Sequence, residues 1–202
     1  MGVRVGRRAD LPAVVAIHQA AFPEFFLTNL GGAFLHAYYS SVLDYKRHIL
    51  LVASVNATPV GFAAGFVDPA GFYSHLRSRR ISLTLAVMTR LVRKPQLLPR
   101  LLRNYRRTGV IAHSEVAQAS ELASLAVLPE FQGRSLGRAL VDEFNLLSAA
   151  GGAQFVTLTT DAHQNDSVNQ FYMRCGYSLS RTIAIRDRVL REYRYALPDR
   201  AA

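Results

Sequence analysis

The chain has 202 residues, half of them hydrophobic, and a single cysteine. That is enough apolar material for one full core, with no intramolecular disulfide framework and no C-x-x-C pair for zinc, so a reducing, cytoplasmic setting is expected. The formal net charge of +10 is local: residues 69–114 hold ten Lys and Arg, from Arg77 to Arg107, and no acid, while the rest of the chain balances 14 of each.

The amino-terminal "MGVRVGRRADLPAVVAI" superficially resembles a secretory signal, but Asp10 and Pro12 interrupt its apolar run. Gly2 lacks the Ser or Thr at position 6 of a myristoylation signal, and no uncharged apolar segment reaches membrane-spanning length. "VRVGRRAD" predicts a strand alternating at Val3 and Val5. Asp10 is placed to cap a helix running to about Phe22, with Pro12 in its first turn. "FFLTNLGGAFLHAYYSSVLDY" carries Leu27, Leu30, Phe34 and Tyr38 at helical spacing, and Gly31-Gly32 predicts a break or kink.

"HILLVASV" and "PVGFAAGFV", joined by Asn56-Ala57-Thr58, predict a hairpin. In the acid-free stretch Ile81, Leu85, Met88 and Val92 share one helical face, and Leu98, Leu101 and Tyr105 another, opposite Arg100, Arg103 and Arg107. Two amphipathic helices parted near Pro95 are expected. "ELASLAVL" reads as a buried strand ended by Pro129. A helix from Gly137 to Ala150 then turns Leu140, Val141, Phe144 and Leu147 inward and stops at Gly151-Gly152. "QFVTLTTD" is a strand, "DSVNQFYMRC" a helix stopped by Gly176, and "YSLSRTIAI" and "REYRYAL" a closing hairpin around Asp187. The order predicts one α/β (α+β) domain over 1–202, with a mixed sheet flanked by helices and a helical insert at about 69–114.

The strand–loop–helix "LAVLPEFQGRSLGRAL" stands apart. Gly133 and Gly137 are too close for a nucleotide P-loop, no Lys-Ser/Thr follows, and G-x-G-x-x-G is absent. A helix starting here still presents unpaired N–H groups, a ready site for a phosphate or pyrophosphate, and Arg134 and Arg138 add positive charge. An ordinary tight turn with solvated arginines is the alternative.

This stretch resembles the coenzyme A motif of the GNAT superfamily, the Gcn5-related N-acyltransferases, whose core is Q/R-x-x-G-x-G/A after a strand. "NDSVNQFYMRCGY", Asn165 to Tyr177, is similar to the family's next motif, and together the two cover about residues 115–182. The pattern's first glycine is Ser135 here. A Cβ there restricts positive φ and crowds a phosphate oxygen, although the hydroxyl can donate to it.

The resemblance implies a mostly antiparallel GNAT-type sheet with a splayed strand pair, "ELASLAVL" and "FVTLTTD". It implies an acetyl-CoA donor and no metal. The pyrophosphate would lie on the amides of Gln132, Gly133, Arg134, Ser135, Leu136 and Gly137, near Arg138, and the pantetheine arm along Leu125, Ala126 and Val127. Asn165 is expected to cap its helix and also to contact the cofactor. An N–H near Val127 would stabilise the oxyanion. Glu121 would be the general base, or a half-exposed strand glutamate in a salt link; Glu115 and His163 are weaker alternatives. Tyr172 would protonate the leaving thiolate, or be a core aromatic beside Val168. Cys175 reads as a small buried apolar residue, because no His–acid pair accompanies it.

The resemblance assigns acceptor binding to Phe25, Phe26, Thr28 and Asn29, to the residues after Tyr177, and to the insert. A positive insert suits an anionic small-molecule amine such as a nucleotide-linked amino sugar, and a looser likeness to GNATs of surface-polysaccharide synthesis points the same way. A helical lid that solvates its arginines is the plainer reading of the insert. Other readings are an enzyme acting on a protein amine, an acidic-lipid surface module, or a phosphate track on nucleic acid, the last disfavoured by few interleaved aromatics. A homodimer is compatible with all of them.

Overall fold

A run such as "HILLVASV" is apolar at successive positions because the sheet it enters is covered on both sides. Ile49, Leu51 and Ala53 face one cluster of buried side chains, and Leu50 and Val52 face the other. The computed structural model describes residues 1–78, 118–185 and 188–198. Its strands are β1 (Gly2–Val5), β2 (His48–Val55), β3 (Thr58–Val67), β4 (Ala119–Val127), β5 (Phe155–Asp161), β6 (Ser178–Ile185) and β7 (Arg188–Ala196). They form one sheet in the order β1-β2-β3-β4-β5-β7-β6, antiparallel throughout except for β4 beside β5.

The helices are α1 (Leu11–Ala21), α2 (Phe26–Asn29), α3 (Gly32–Asp44), α4 (Pro69–Ser78), α5 (Leu136–Ala150) and α6 (Asp166–Arg174). Leu11, Val14, Leu35, Tyr39 and Phe72 of α1, α3 and α4 pack on Val52, Phe62 and Phe66. On the opposite face Leu140, Val141 and Phe144 of α5 pack with Val156, Leu158, Tyr172 and Tyr193. Each such large side chain contributes about 1.5–3 kcal/mol by leaving water.

The expected element order holds, with local corrections. Asp10 places no side-chain cap on α1; its carboxylate instead accepts from Arg4 at 2.6 and 2.8 Å and from the Arg7 N–H at 2.7 Å, pinning the end of β1. The predicted break at Gly31-Gly32 is real and separates α2 from α3, Gly31 taking φ 94°. The first hairpin turn is two residues, not three, because Asn56 and Ala57 both adopt positive φ and Thr58 already pairs in β3. The final hairpin pairs from Ile185↔Arg188 outward, so β7 starts three residues before the expected "REYRYAL". In the insert, α4 accounts for the first ten residues. The helices expected at Ile81–Val92 and Leu98–Tyr105, with Glu115 and Asp187, lie outside the described residues.

One irregularity positions the site. Ala64 pairs with Ser124 but Gly65 pairs with Leu122, so Ala123 is an extra residue in β4. Leu122 then faces the α5 side, whereas Ala123 and Ala126, three apart, both face α1 and α3. Gly65 makes the bulge fit: a Cβ there would lie 2.0 Å from the Glu121 carbonyl oxygen and 2.7 Å from Cζ of Phe144. Gly65→Ala should therefore destabilise the fold by about 1–3 kcal/mol. A thermal melt checks it, and an unchanged midpoint would contradict this account of the bulge.

Candidate active site

β4 and β5 run side by side for only three registers, Ala119↔Phe155, Ser120↔Val156 and Glu121↔Thr157. Beyond Glu121 they part. β4 stays on β3 as far as Val127↔Gly61, and β5 stays on β7 as far as Asp161↔Leu190, so their facing edges are left without each other. The closed end is tied by hydroxyls: Ser148 donates to Ser120 at 2.8 Å, Ser120 to the Phe66 carbonyl at 3.2 Å, and Thr157 to the Ser120 carbonyl at 3.2 Å. The Leu128 N–H is given to Val60 on the β3 side at 2.9 Å, so strand alternation turns the N–H groups of Val127 and Leu125 into the gap. Ala126, between them, faces β3.

The gap runs toward the loop singled out in the sequence. After a short 3₁₀ turn at Pro129–Phe131, Gly133 (φ 73°) and Ser135 (φ 60°) reverse the chain into α5. The first bond into the helix is Ala139 N–H to the Ser135 carbonyl, at 3.0 Å. Among the described residues, no oxygen accepts from the N–H groups of Gly133, Arg134, Ser135, Leu136, Gly137 or Arg138. Six donors at the entry to a 15-residue helix are thus without an acceptor among the described residues, a setting that suits a diphosphate.

The loop's side chains divide their work differently from the sequence reading. Gly137 lies against α6: a Cβ there would meet the Phe171 ring at 3.3 Å, so this glycine serves helix packing. Arg138 pairs with Asp142 at 2.9 Å and donates to the Arg174 carbonyl at 2.8 Å, so its guanidinium is already engaged. Arg134 is exposed, its guanidinium 5.3 Å from the centre of the Phe131 ring. The Gln132 side chain donates to the Val127 carbonyl at 3.2 Å, linking the loop to the end of β4. Ser135 takes the left-handed conformation despite its Cβ, at a cost on the order of 1 kcal/mol. Ser135→Gly should raise stability by up to about that amount, read from urea unfolding. A fall in coenzyme A affinity in the same variant would reveal a hydroxyl–phosphate contact.

Glu121, the last paired residue before the strands part, is half-buried. Tyr73 of α4 donates to its Oε1 at 2.7 Å. Burial raises its carboxyl to about 7; the Tyr73 hydroxyl opposes the shift and the Glu192 charge adds to it. A carboxylate poised there suits proton abstraction near neutral pH. Tyr172, 7 % exposed, lies on the α5 side among Tyr177 and Tyr193. Burial, and secondarily Cys175, holds its phenol protonated well above its ordinary range, and among the described residues nothing hydrogen-bonds its hydroxyl. Its expected companion Val168 is 37 % exposed, so that helix face is not simply core. Cys175 is buried, as a small apolar residue.

Residues 102–179 match the family model of the acetyltransferase (GNAT) domain. Over that segment the chain is similar to a GNAT acetyltransferase domain. The matched segment begins inside the stretch read as insert and covers both motifs. No curated protein sequence matches the chain. Solved structures share the GNAT fold at low identity. A Salmonella typhimurium protein determined with its cofactor acetyl-CoA has TM-score 0.63 and 16 % identity, over 100 % of this chain and 96 % of that one. An aminoglycoside 6′-N-acetyltransferase complexed with coenzyme A has TM-score 0.64 and 13 % identity, over all of both chains. A ribosomal-protein-alanine N-acetyltransferase from Brucella melitensis has TM-score 0.62 and 16 % identity, over 98 % of this chain and 100 % of that one.

The other residues expected at the site take the following positions. Asn165 does not cap α6; its amide reaches back to the Asp161 carbonyl at 3.4 Å. The tie between β5 and α6 is Asn169, buried, which donates to the Asp161 and Asn165 carbonyls at 3.1 and 2.9 Å and accepts from Thr160 at 2.6 Å. His163 is exposed in its loop. On the α1–α3 side, Phe25 is 48 % exposed and stands under Arg188, which pairs with Asp161, so the first helices and the last hairpin meet at the rim. Thr28 is half-buried, its hydroxyl without a partner among the described residues, Asn29 donates to the Glu24 and Phe25 carbonyls, and Phe26 contributes backbone to α2. Sequence reasoning missed Tyr73, Tyr38, Glu192 and Asn169; the Asp68-Pro69 pair, a cap followed by proline, was the one available signal for α4. No helix among the described residues is long and apolar enough to cross a membrane, and none of their His, Cys, Asp and Glu side chains gather to hold a metal.

Proposed function

We propose that this GNAT acetyltransferase moves the acetyl group of acetyl-CoA to the primary amine of a small, anionic acceptor, with Glu121 as general base and Tyr172 as general acid. The observation that carries the reading is the parting of β4 and β5 directly after Glu121, with six N–H groups at the entry to α5 that have no acceptor among the described residues. The loop from Gly133 to Arg138 fits a diphosphate, and the free edge of β4 at Leu125 and Val127 fits an amide-bearing arm. Arg138 would act there only after giving up Asp142.

Glu121 accepts the proton that makes the amine nucleophilic. The Val127 N–H receives the oxyanion charge that develops on the thioester carbonyl, a contribution that is often the largest single one. Tyr172 gives its proton to the departing sulfur, and holding donor and acceptor together supplies much of the remaining acceleration. The acid-free stretch, with its ten Lys and Arg, supports an anionic acceptor such as a nucleotide-linked amino sugar, whereas Arg181 and Arg188 on the closing hairpin are already paired with Glu192 and Asp161.

Thiol release from acetyl-CoA tests the reading across a nucleotide-linked amino sugar, its free amino sugar, an aminoglycoside and a peptide with a free amino terminus. The nucleotide-linked sugar should turn over fastest, with a rate that falls steeply as salt rises. Turnover confined to the peptide would replace the small acceptor with a protein amine.

A further inference from the structure

We propose that Tyr73, on α4, is a positioning residue for the transfer: its hydroxyl holds Oε1 of Glu121 and leaves Oε2 to meet the acceptor amine. The inference rests on the reading of Glu121 as the base. α4 lies outside the residues that match the GNAT domain, so nothing in that likeness assigns this contact.

The geometry is specific. The donor–acceptor distance is 2.7 Å, between residues 48 apart in the chain. The Tyr73 ring is packed edge-on against Phe66 and Phe72, at 5.6 and 5.5 Å between centres, so its hydroxyl has little freedom. The helix that carries it is fixed to the strand that carries Glu121. Asp68, immediately before α4, caps it through the Gly71 N–H at 3.0 Å, accepts from Tyr45 at 3.1 Å, and gives its own N–H to the Ala119 carbonyl of β4 at 3.1 Å.

The surroundings make the contact consequential. Glu121 is approached by Tyr38 from α3, Tyr73 from α4 and Glu192 from β7, with Phe66 of β3 and Thr157 of β5 in register beside it. Glu192 is itself paired with Arg181 of β6 at 2.8 Å. Burial and Glu192 both favour a neutral carboxyl, and the Tyr73 hydrogen bond is the described interaction that favours the carboxylate. Without it the carboxyl would hold its proton to higher pH.

The test is a carboxyl-carbon NMR titration of Glu121 in the full chain, wild type against Tyr73→Phe, with the resonance assigned by its loss in Glu121→Gln. The Glu121 midpoint should move up by roughly 1–2 pH units, the range of one charge-assisted hydrogen bond. The acid limb of thiol release should move with it, leaving turnover at pH 7 down about 10-fold and recovered at higher pH, with coenzyme A affinity unchanged. A midpoint and limb that coincide with wild type overturn the proposal. If Tyr73→Phe melts early, 3-fluorotyrosine at position 73 keeps the ring and donates more strongly; it should shift the midpoint down, and no shift overturns the proposal as well. Full turnover in Glu121→Gln would sink the base reading and the positioning role with it. An inactive Glu121→Gln beside an unmoved Tyr73→Phe midpoint would sink only the role of Tyr73.

Discussion

Glu121→Gln should lower acetyl transfer by roughly 10² to 10⁴, the usual contribution of a positioned general base. Gln keeps the size of the side chain and still accepts the Tyr73 hydrogen bond, so the bulged β4 and its packing survive. The pH dependence gives the sharper reading. Burial raises the carboxyl to about 7, so wild-type turnover should climb as pH rises through that value and the carboxylate forms. In the variant that limb should vanish, while coenzyme A affinity, set at the mouth of α5, should barely change. A stopped-flow thiol-release profile from pH 5 to 9 checks both, and a surviving limb of unchanged height would remove Glu121 from the mechanism.

Tyr172→Phe is the second large effect, again roughly 10² to 10⁴ in turnover if its proton goes to the leaving sulfur. The substitution separates chemistry from packing cleanly. Phe keeps the ring contacts with Tyr177 and Tyr193, and the lost hydroxyl has no partner among the described residues, so the melting temperature should hardly move. Measured without a chemical step, acetyl-CoA binding should be preserved. A variant as fast as wild type would make Tyr172 a packing residue only.

Much of the architecture was legible because local signals and burial agreed. Proline and paired glycines marked the ends of β4 and α5, short polar turns marked the hairpins, and two linked motifs supplied the central strand–helix units. The splay between β4 and β5 followed from the resemblance, and the three-register pairing bears it out. What the sequence concealed was which of two plausible jobs a residue performs. Gly137 serves packing because Phe171, 34 residues on, fills the space beside it. Arg138 finds Asp142 one turn along its own helix, an i,i+4 pair that was visible but outweighed by its motif position. Asn165 and Asp10 both stand where caps belong, yet each side chain is drawn to a partner outside its helix. Tyr73 belongs to the same class: its contact with Glu121 depends on where Asp68 anchors α4, which no periodicity reports.

The acceptor, and even the roles of Glu121 and Tyr172, matter only if the thioester carrier is gripped where α5 begins. A crystal structure of the full chain with coenzyme A tests that grip most directly. The account predicts diphosphate oxygens at about 3 Å from the N–H groups between Gly133 and Gly137, with the arm leading between the parted strands toward Glu121. Coenzyme A lodged elsewhere on the molecule, with those N–H groups turned to water, would contradict it.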